Sequence, residues 1–278
     1  MKSIRLILAA VIAALTIVTV KPAQAFDPPA TDYVWQKGNA PTPMNWAGTS
    51  FCVFHEIIGS FTSTHDWVQI DEAPSGFWEV SGGGNIQWIR ATCVNSLAAE
   101  VQNGVLVYAL QSSLPIPTTH TLPGTLQFQN LPHADFCFLQ EVSGAMGIGV
   151  DGFDSHVDVY QTSPGQWLED AEGDITQVGV EVGCVNMIFP DPAEGTAQSF
   201  GSAGGTNNFG PPGVTPNMPS YPQNLCGLTT VQGTWSSTQS FGQIIVNASR
   251  GTTTEQTSST LFGDASIAAN CLFLTPLQ

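Results

Sequence analysis

The sequence predicts an all-β protein built from three cysteine-bracketed antiparallel units in tandem, pseudo-threefold in character, with little helix after an N-terminal leader. Three observations predict it. Gly, Pro, Ser, Thr and Asn are abundant, Lys, Arg and Glu are scarce, and beyond residue 25 no sustained stretch repeats apolar residues at helical spacing. The six cysteines, at positions 52, 93, 137, 184, 226 and 271, mark out a repeat. Each unit then closes on a strand of alternating character, IRATCV, VEVGCV or IAANCL.

The leader comes first. Lys2 and Arg5 precede an apolar run from Leu6 to Val20, followed by Lys21 and Ala23-Gln24-Ala25, the pattern of a secretory signal peptide cut before Phe26. That run is too short to span a bilayer comfortably, no later stretch is apolar enough to do so, and no cysteine at the cleavage point offers a lipid attachment. The expected mature chain is secreted, periplasmic or extracellular, without a membrane span. It keeps Lys37, Arg90 and Arg250 against 22 carboxylates, a formal charge of −19. So few cations cannot neutralise phosphates, which excludes nucleic acid as a partner, and an anionic membrane would repel the surface.

The repeat organises the mature chain. Aligning the odd-numbered cysteines gives FCVFHEIIGSF, FCFLQEVSGAM and LCGLTTVQGTW, all reading C-x-[FL]-x-x-[IV]-x-G. Phe61, Met146 and Trp235 stand nine residues after their cysteines. Apolar positions fall at even offsets up to the second residue and at odd offsets from the fifth. A strand cannot change faces without an extra residue, so a β-bulge is expected at the third or fourth position after each first cysteine. Between the bracketing strands lie further strand candidates: Trp67 to Ile70 and Phe77 to Val80, Val157 to Tyr160 and a stretch from Trp167, and Ile244 to Val246. The first two copies share a G-x-W signature, Gly76-Phe77-Trp78 and Gly165-Gln166-Trp167, which the third lacks.

These patterns divide the chain into a signal peptide (1–25), unit 1 (26–95), unit 2 (96–186), a Gly/Pro/Asn-rich connector (187–225) and unit 3 (226–278). The stretch 105–110 and the stretch 125–129 read as extra strands, and 190–224 as an irregular linker or long surface loop, with the third unit expected to be more loosely tethered than the first two. An exported context favours disulfides. The local scheme pairs Cys52 with Cys93, Cys137 with Cys184 and Cys226 with Cys271. A ring scheme, with Cys93 to Cys137, Cys184 to Cys226 and Cys52 to Cys271, uses loops of similar length for its first two bridges. Each local bridge closes roughly 42 residues or slightly more, which the loop-entropy argument values at about 4 kcal/mol before strain.

The phrase Cys137-Phe138-Leu139 with Val142 and Gly144, closed by Gly183-Cys184-Val185, resembles the cysteine-flanked β-repeat of exported, largely uncharacterised bacterial surface or tip-adhesin-like proteins. The resemblance covers about half of the mature chain. It implies a secreted β module that binds at the cell exterior, and it brings no catalytic residues. The third copy departs from the pattern at Gly227 and throughout its middle.

Catalytic motifs are weak. His55-Glu56-Ile57-Ile58-Gly59 begins like the zinc-peptidase H-E-x-x-H, but glycine replaces the second histidine and the segment reads as strand, where the motif needs a helix. G-x-S-x-G and the P-loop are absent, and bridged cysteines offer no thiolate. Two acidic clusters in unit 2 carry hard oxygen ligands: Asp151, Asp154 and Asp158 around His156, and Glu169, Asp170, Glu172 and Asp174. Asp151, Asp154, Asp158, Asp170, Glu172 and Asp174 form the candidate calcium set, against the competing reading of solvated hairpin turns. Trp78 and Trp167 are candidates to stack on a sugar or anchor a protein, against the reading that they fill each unit's core. Asn247-Ala248-Ser249 matches a glycosylation sequon.

The functional expectation is a secreted noncatalytic binding or surface-associated protein whose ligand is an unidentified carbohydrate or protein. Two alternatives stand beside it: a secreted hydrolase using paired carboxylates, and a structural coat or appendage component.

Overall fold

The computed structural model describes residues 31–95, 109–112, 119–120, 125–131, 134, 136–147, 155–173, 178–188, 195–201, 218–219, 225–236, 238–247, 252–258 and 266–276. Residues 1–25, where the sequence suggests a signal peptide, and Asp151, Asp154 and Asp174 lie outside the described residues. Unit 1 opens with β1 (Thr31–Gln36) and β2 (Thr42–Trp46), and its cysteine-bracketed part follows as β3 (Ser50–Gly59), β4 (Trp67–Glu72), β5 (Phe77–Gly83) and β6 (Ile86–Asn95). Unit 2 opens with β7 (Ala109–Ser112), β8 (Thr119–His120) and β9 (Thr125–Asn130), and its cysteine-bracketed part contributes β10 (Phe136–Gly144), β11 (His156–Ser163), β12 (Gln166–Gly173) and β13 (Val178–Ile188). Next come β14 (Gly195–Gly201) and β15 (Met218–Pro219), then unit 3 as β16 (Leu225–Gln232), β17 (Phe241–Asn247), β18 (Thr252–Ser258) and β19 (Ser266–Pro276). One 3-10 turn, Ala47–Thr49, precedes β3. Among the described residues no helix is long and apolar enough to cross a membrane.

In every unit the bracketing strands pair antiparallel with the cysteines directly opposed: β3 with β6, β10 with β13, and β16 with β19. Cys52 is bonded to Cys93 and Cys137 to Cys184, so the ring scheme, which needs Cys93 bonded to Cys137, does not hold. Cys226 is also disulfide-bonded and stands opposite Cys271 in the ladder. The face switch inferred from the offsets is present in all three copies. The register slips between Phe54 and Glu56, between Leu139 and Glu141, and between Leu228 and Thr230, leaving His55, Gln140 and Thr229 as the extra residues.

The hairpins do not pair with their own brackets. Hairpin β4–β5 of unit 1 pairs with β10 of unit 2, β11–β12 of unit 2 pairs with β16 of unit 3, and β17–β18 of unit 3 pairs with β3 of unit 1. Three sheets result, ordered β1-β6-β3-β17-β18-β15 (sheet A), β2-β5-β4-β10-β13-β7 with β8 also on β13 (sheet B), and β14-β19-β16-β11-β12-β9 (sheet C). The glycine seven residues after each first cysteine makes this junction. Gly59, Gly144 and Gly233 all have positive φ, and their N–H groups donate to the carbonyls of Ser240, Asp66 and Ser155, which immediately precede the incoming hairpins, at 2.9, 2.9 and 3.0 Å.

Although each hairpin is donated to a neighbouring sheet, its apolar face still covers its own bracket. A Cβ on Gly82 of β5 would meet Ile89 and Trp35 of sheet A, and one on Gly242 of β17 would meet Ile267 of sheet C. One continuous core therefore runs through all three units. The first strands meet at its centre, where Phe51 stacks on Phe138 with centroids 5.6 Å apart and Phe136 lies 5.5 Å from Phe138. Gly227, the departure noted in the third copy, sits where a Cβ would come 2.9 Å from Val53 and 3.4 Å from Phe138. The residues nine after each cysteine close another layer: Phe61 N–H donates to Trp235 O at 3.0 Å and Met146 N–H to Phe61 O at 2.8 Å.

Two expectations are corrected. The third unit is not loosely tethered, because β17 is bonded to β3 and Trp235 is fully buried against Phe61. Nor is the connector wholly irregular, because β14 pairs along β19 over seven residues; the stretch Thr196 to Phe200 contains neither Gly nor Pro and is free to extend. Replacement of the central glycine, Gly227→Val, is expected to overpack Val53 and Phe138 and lower stability by about 1–3 kcal/mol, read from denaturant midpoints; an unchanged midpoint contradicts the described close approach.

Candidate functional site

Trp78 and Trp167 belong to the interior. They are 4% and 2% exposed, and their Nε1 groups donate to Ser50 O at 2.8 Å and Ala134 O at 2.9 Å. The preceding glycines complete the clamp, with Gly76 O accepting Ala47 N–H at 2.9 Å and Gly165 O accepting Ala134 N–H at 3.0 Å. G-x-W thus ties each hairpin to the chain entering the first strand of its unit. Neither indole offers a face to a ligand.

The described part of the acidic set lies on the outer face of sheet C. Asp158 of β11 stands opposite Asp170 of β12, and His156 opposite Glu172. His156 Nε2 lies 2.6 Å from Asp170 Oδ1, and the Thr230 hydroxyl donates to Asp158 Oδ1 at 2.5 Å. Burial holds the Asp158 carboxyl above the usual range, the Thr230 hydrogen bond opposes this, and the charge of Asp170 adds to it. Among the described residues no three His, Cys, Asp or Glu side chains converge as a metal cage.

His55 and Glu56 occupy the β3 bulge. Glu56 Oε2 is 3.4 Å from Arg90 Nη2 on the opposing strand. Burial lowers the His55 imidazole from 6.5 to about 4; Asp32 works against this, Arg90 reinforces it, and a hydrogen bond to the Cys226 backbone also works against it. The residue is a neutral tie between units 1 and 3.

The face richest in recognition chemistry is the outer face of sheet B. Alternation builds it: Val68 and Ile70 of β4 and Trp78 and Val80 of β5 turn inward, so Trp67, Gln69 and Asp71, and Phe77, Glu79, Ser81 and Gly83, turn outward. The ladder sets Trp67 against Gly83, Gln69 against Ser81 and Asp71 against Glu79, and β10 of unit 2 adds Glu141 beside Gln69 and Ser143 beside Trp67. At the other end Trp46 of β2 pairs with Phe77, their rings meeting edge to face at 5.2 Å.

Trp46 and Phe77 are 48% and 40% exposed, among the most exposed large apolar side chains described. Their positions are nonetheless fixed. A Cβ on Gly48 would meet the five-membered end of the Trp46 indole at 2.7 Å, and one on Gly76 the six-membered end at 2.6 Å. The indole lies across two glycines, is met edge to face by Phe77, and keeps about half of its surface exposed. Trp67 is half-buried, its ring filling the space a Cβ on Gly83 would need.

Aligning the repeats passes over Trp46, because it precedes the first cysteine and has no partner in the other copies. The signal for Phe77 is present in the sequence: an inward Trp78 forces its neighbour outward, and a phenylalanine on a wet face has no role in the core. No family model, curated protein or solved structure matches the chain.

The His55 reading has a pH signature. Its folded pKa lies below the unfolded one, so its neutral form stabilises the fold fully above pH 6.5, and that contribution is lost as pH falls from 6.5 towards about 4. Wild type is expected to lose about 2 kcal/mol more than His55→Gln over that interval in pH-dependent denaturant unfolding. Parallel curves for the two proteins would refute it.

Proposed function

We propose that this chain is an exported, noncatalytic, surface-associated binding protein, and that its ligand is a carbohydrate held on the outer face of sheet B. The observation that carries the reading is the Trp46 indole, exposed yet seated across Gly48 and Gly76 and braced by Phe77. A flat aromatic face held rigid on a sheet loses little conformational entropy when a sugar ring stacks on it. Gln69, Ser81, Asp71 and Glu79 supply donors and acceptors for ring hydroxyls. Two disulfides, the signal-peptide pattern and the likeness of the repeat to exported bacterial surface proteins support a site outside the cytoplasm.

A second reading, a hydrolase, is favoured by one observation: Asp158 and Asp170 are cross-strand neighbours in unlike environments, one raised by burial and the other bonded to His156. Loss of a glycan-cleaving activity in Asp158→Asn would establish it.

A glycan array probed with the secreted chain tests the first reading. Binding to at least one glycan class is expected, falling at least about tenfold in Trp46→Ala while the variant stays folded, as circular dichroism reads. Binding that survives both Trp46→Ala and Phe77→Ala, or no binding at all, would sink it.

A further inference from the structure

We propose that the outer face of sheet B binds an extended, cationic amino-sugar chain, with one ring stacked at Trp46 and a second at Trp67, and with ammonium groups set against the carboxylates between them. The inference rests on the carbohydrate reading of that face and adds to it the length and charge of the ligand.

Length follows from register. Trp46 is paired with Phe77 and Trp67 with Gly83, the two ends of the outward row of β5. Six residues at about 3.3 Å each place the two seats roughly 20 Å apart, a span of several linked sugar rings rather than one. Both indoles are held by glycines that leave no room for a side chain beneath them. The strip between is polar, with Glu79 and Ser81 on β5 facing Asp71 and Gln69 on β4, and no large side chain of these strands stands between the seats.

Charge follows from what lines the strip. Asp71 and Glu79 lie between the tryptophans, and in the neighbouring row Glu141 and Glu181 follow Gln69 across β10 and β13. The described Lys and Arg residues are elsewhere: Lys37 follows β1, and Arg90 on β6 is engaged with Glu56. An acidic chain would be repelled along its whole length, whereas a primary ammonium gains from the carboxylates and from the indole faces.

Glucosamine oligomers from dimer to hexamer, and N-acetylated oligomers of the same lengths, are titrated calorimetrically against the full secreted chain at low and high salt. Affinity is expected to rise at least about tenfold from dimer to hexamer, and the amino series is expected to exceed the acetylated one by a similar factor at low salt, with the gap narrowing at high salt. Trp67→Ala should reduce hexamer affinity to that of the dimer, and Trp67→Phe, which keeps an aromatic face and controls for folding, should restore much of it. Glu79→Gln with Asp71→Asn should remove the preference for the amino series. If all lengths and both series bind alike and only Trp46→Ala weakens them, the extended cationic ligand is overturned while the carbohydrate reading stands. If no oligomer of either series binds, this inference is overturned, and the array then decides the carbohydrate reading.

Discussion

A two-stranded hairpin cannot bury its apolar face alone, and a bracket of two disulfide-linked strands leaves an edge with unpaired N–H and C=O groups. Both deficits are met here by one device, in which each hairpin completes the edge of the next bracket while lying over its own. Ile58 pairs with Phe241, Ser143 with Trp67 and Gln232 with His156, and these junctions close the three sheets on one another. The bulge and the glycine of the repeated motif serve this arrangement directly. The bulge turns the strand so that Phe54 and Ile57, Leu139 and Val142, and Leu228 and Val231 all reach the core, and the glycine admits the neighbour's backbone.

Because scaffold residues recur in all three copies, chemistry is left to the outward side of each hairpin. Unit 1 presents tryptophan, phenylalanine and carboxylates, whereas unit 2 presents His156, Asp158, Tyr160 and Asp170. The same backbone thus carries two unlike surfaces. Sheet B seats its two outward indoles over glycines, whereas sheet C ties its charged groups to one another.

Much of the scaffold is legible in the residues. The shift from even to odd apolar offsets locates the bulge at His55, Gln140 and Thr229, and the alternating strands at the unit ends predict the cysteine pairing seen at Cys52 and Cys137. Partner choice is not legible. Alternation tells which side of β4 is buried but not which strand it meets, and Val68 fits equally well against its own bracket or against Val142 of the next. The site is hidden for a related reason: repetition singles out Trp78 and Trp167, yet a repeated residue is more often part of the shared core. Trp46, which does not repeat, lies on the surface.

The junction between β3 and β17 joins residues separated by most of the described chain. During synthesis the edge of β3 must therefore wait, exposed, until the final unit has been made, and long-range pairing of this kind is slow. The Cys52–Cys93 bridge needs only local sequence, so it holds β3 in register through that interval. The disulfides thus act in time as much as in energy, since they preserve a docking edge for a hairpin that does not yet exist. The same open edge would accept the corresponding hairpin of a second molecule, and a connector too short to bring unit 3 home would turn a self-closing ring into an interlocked assembly.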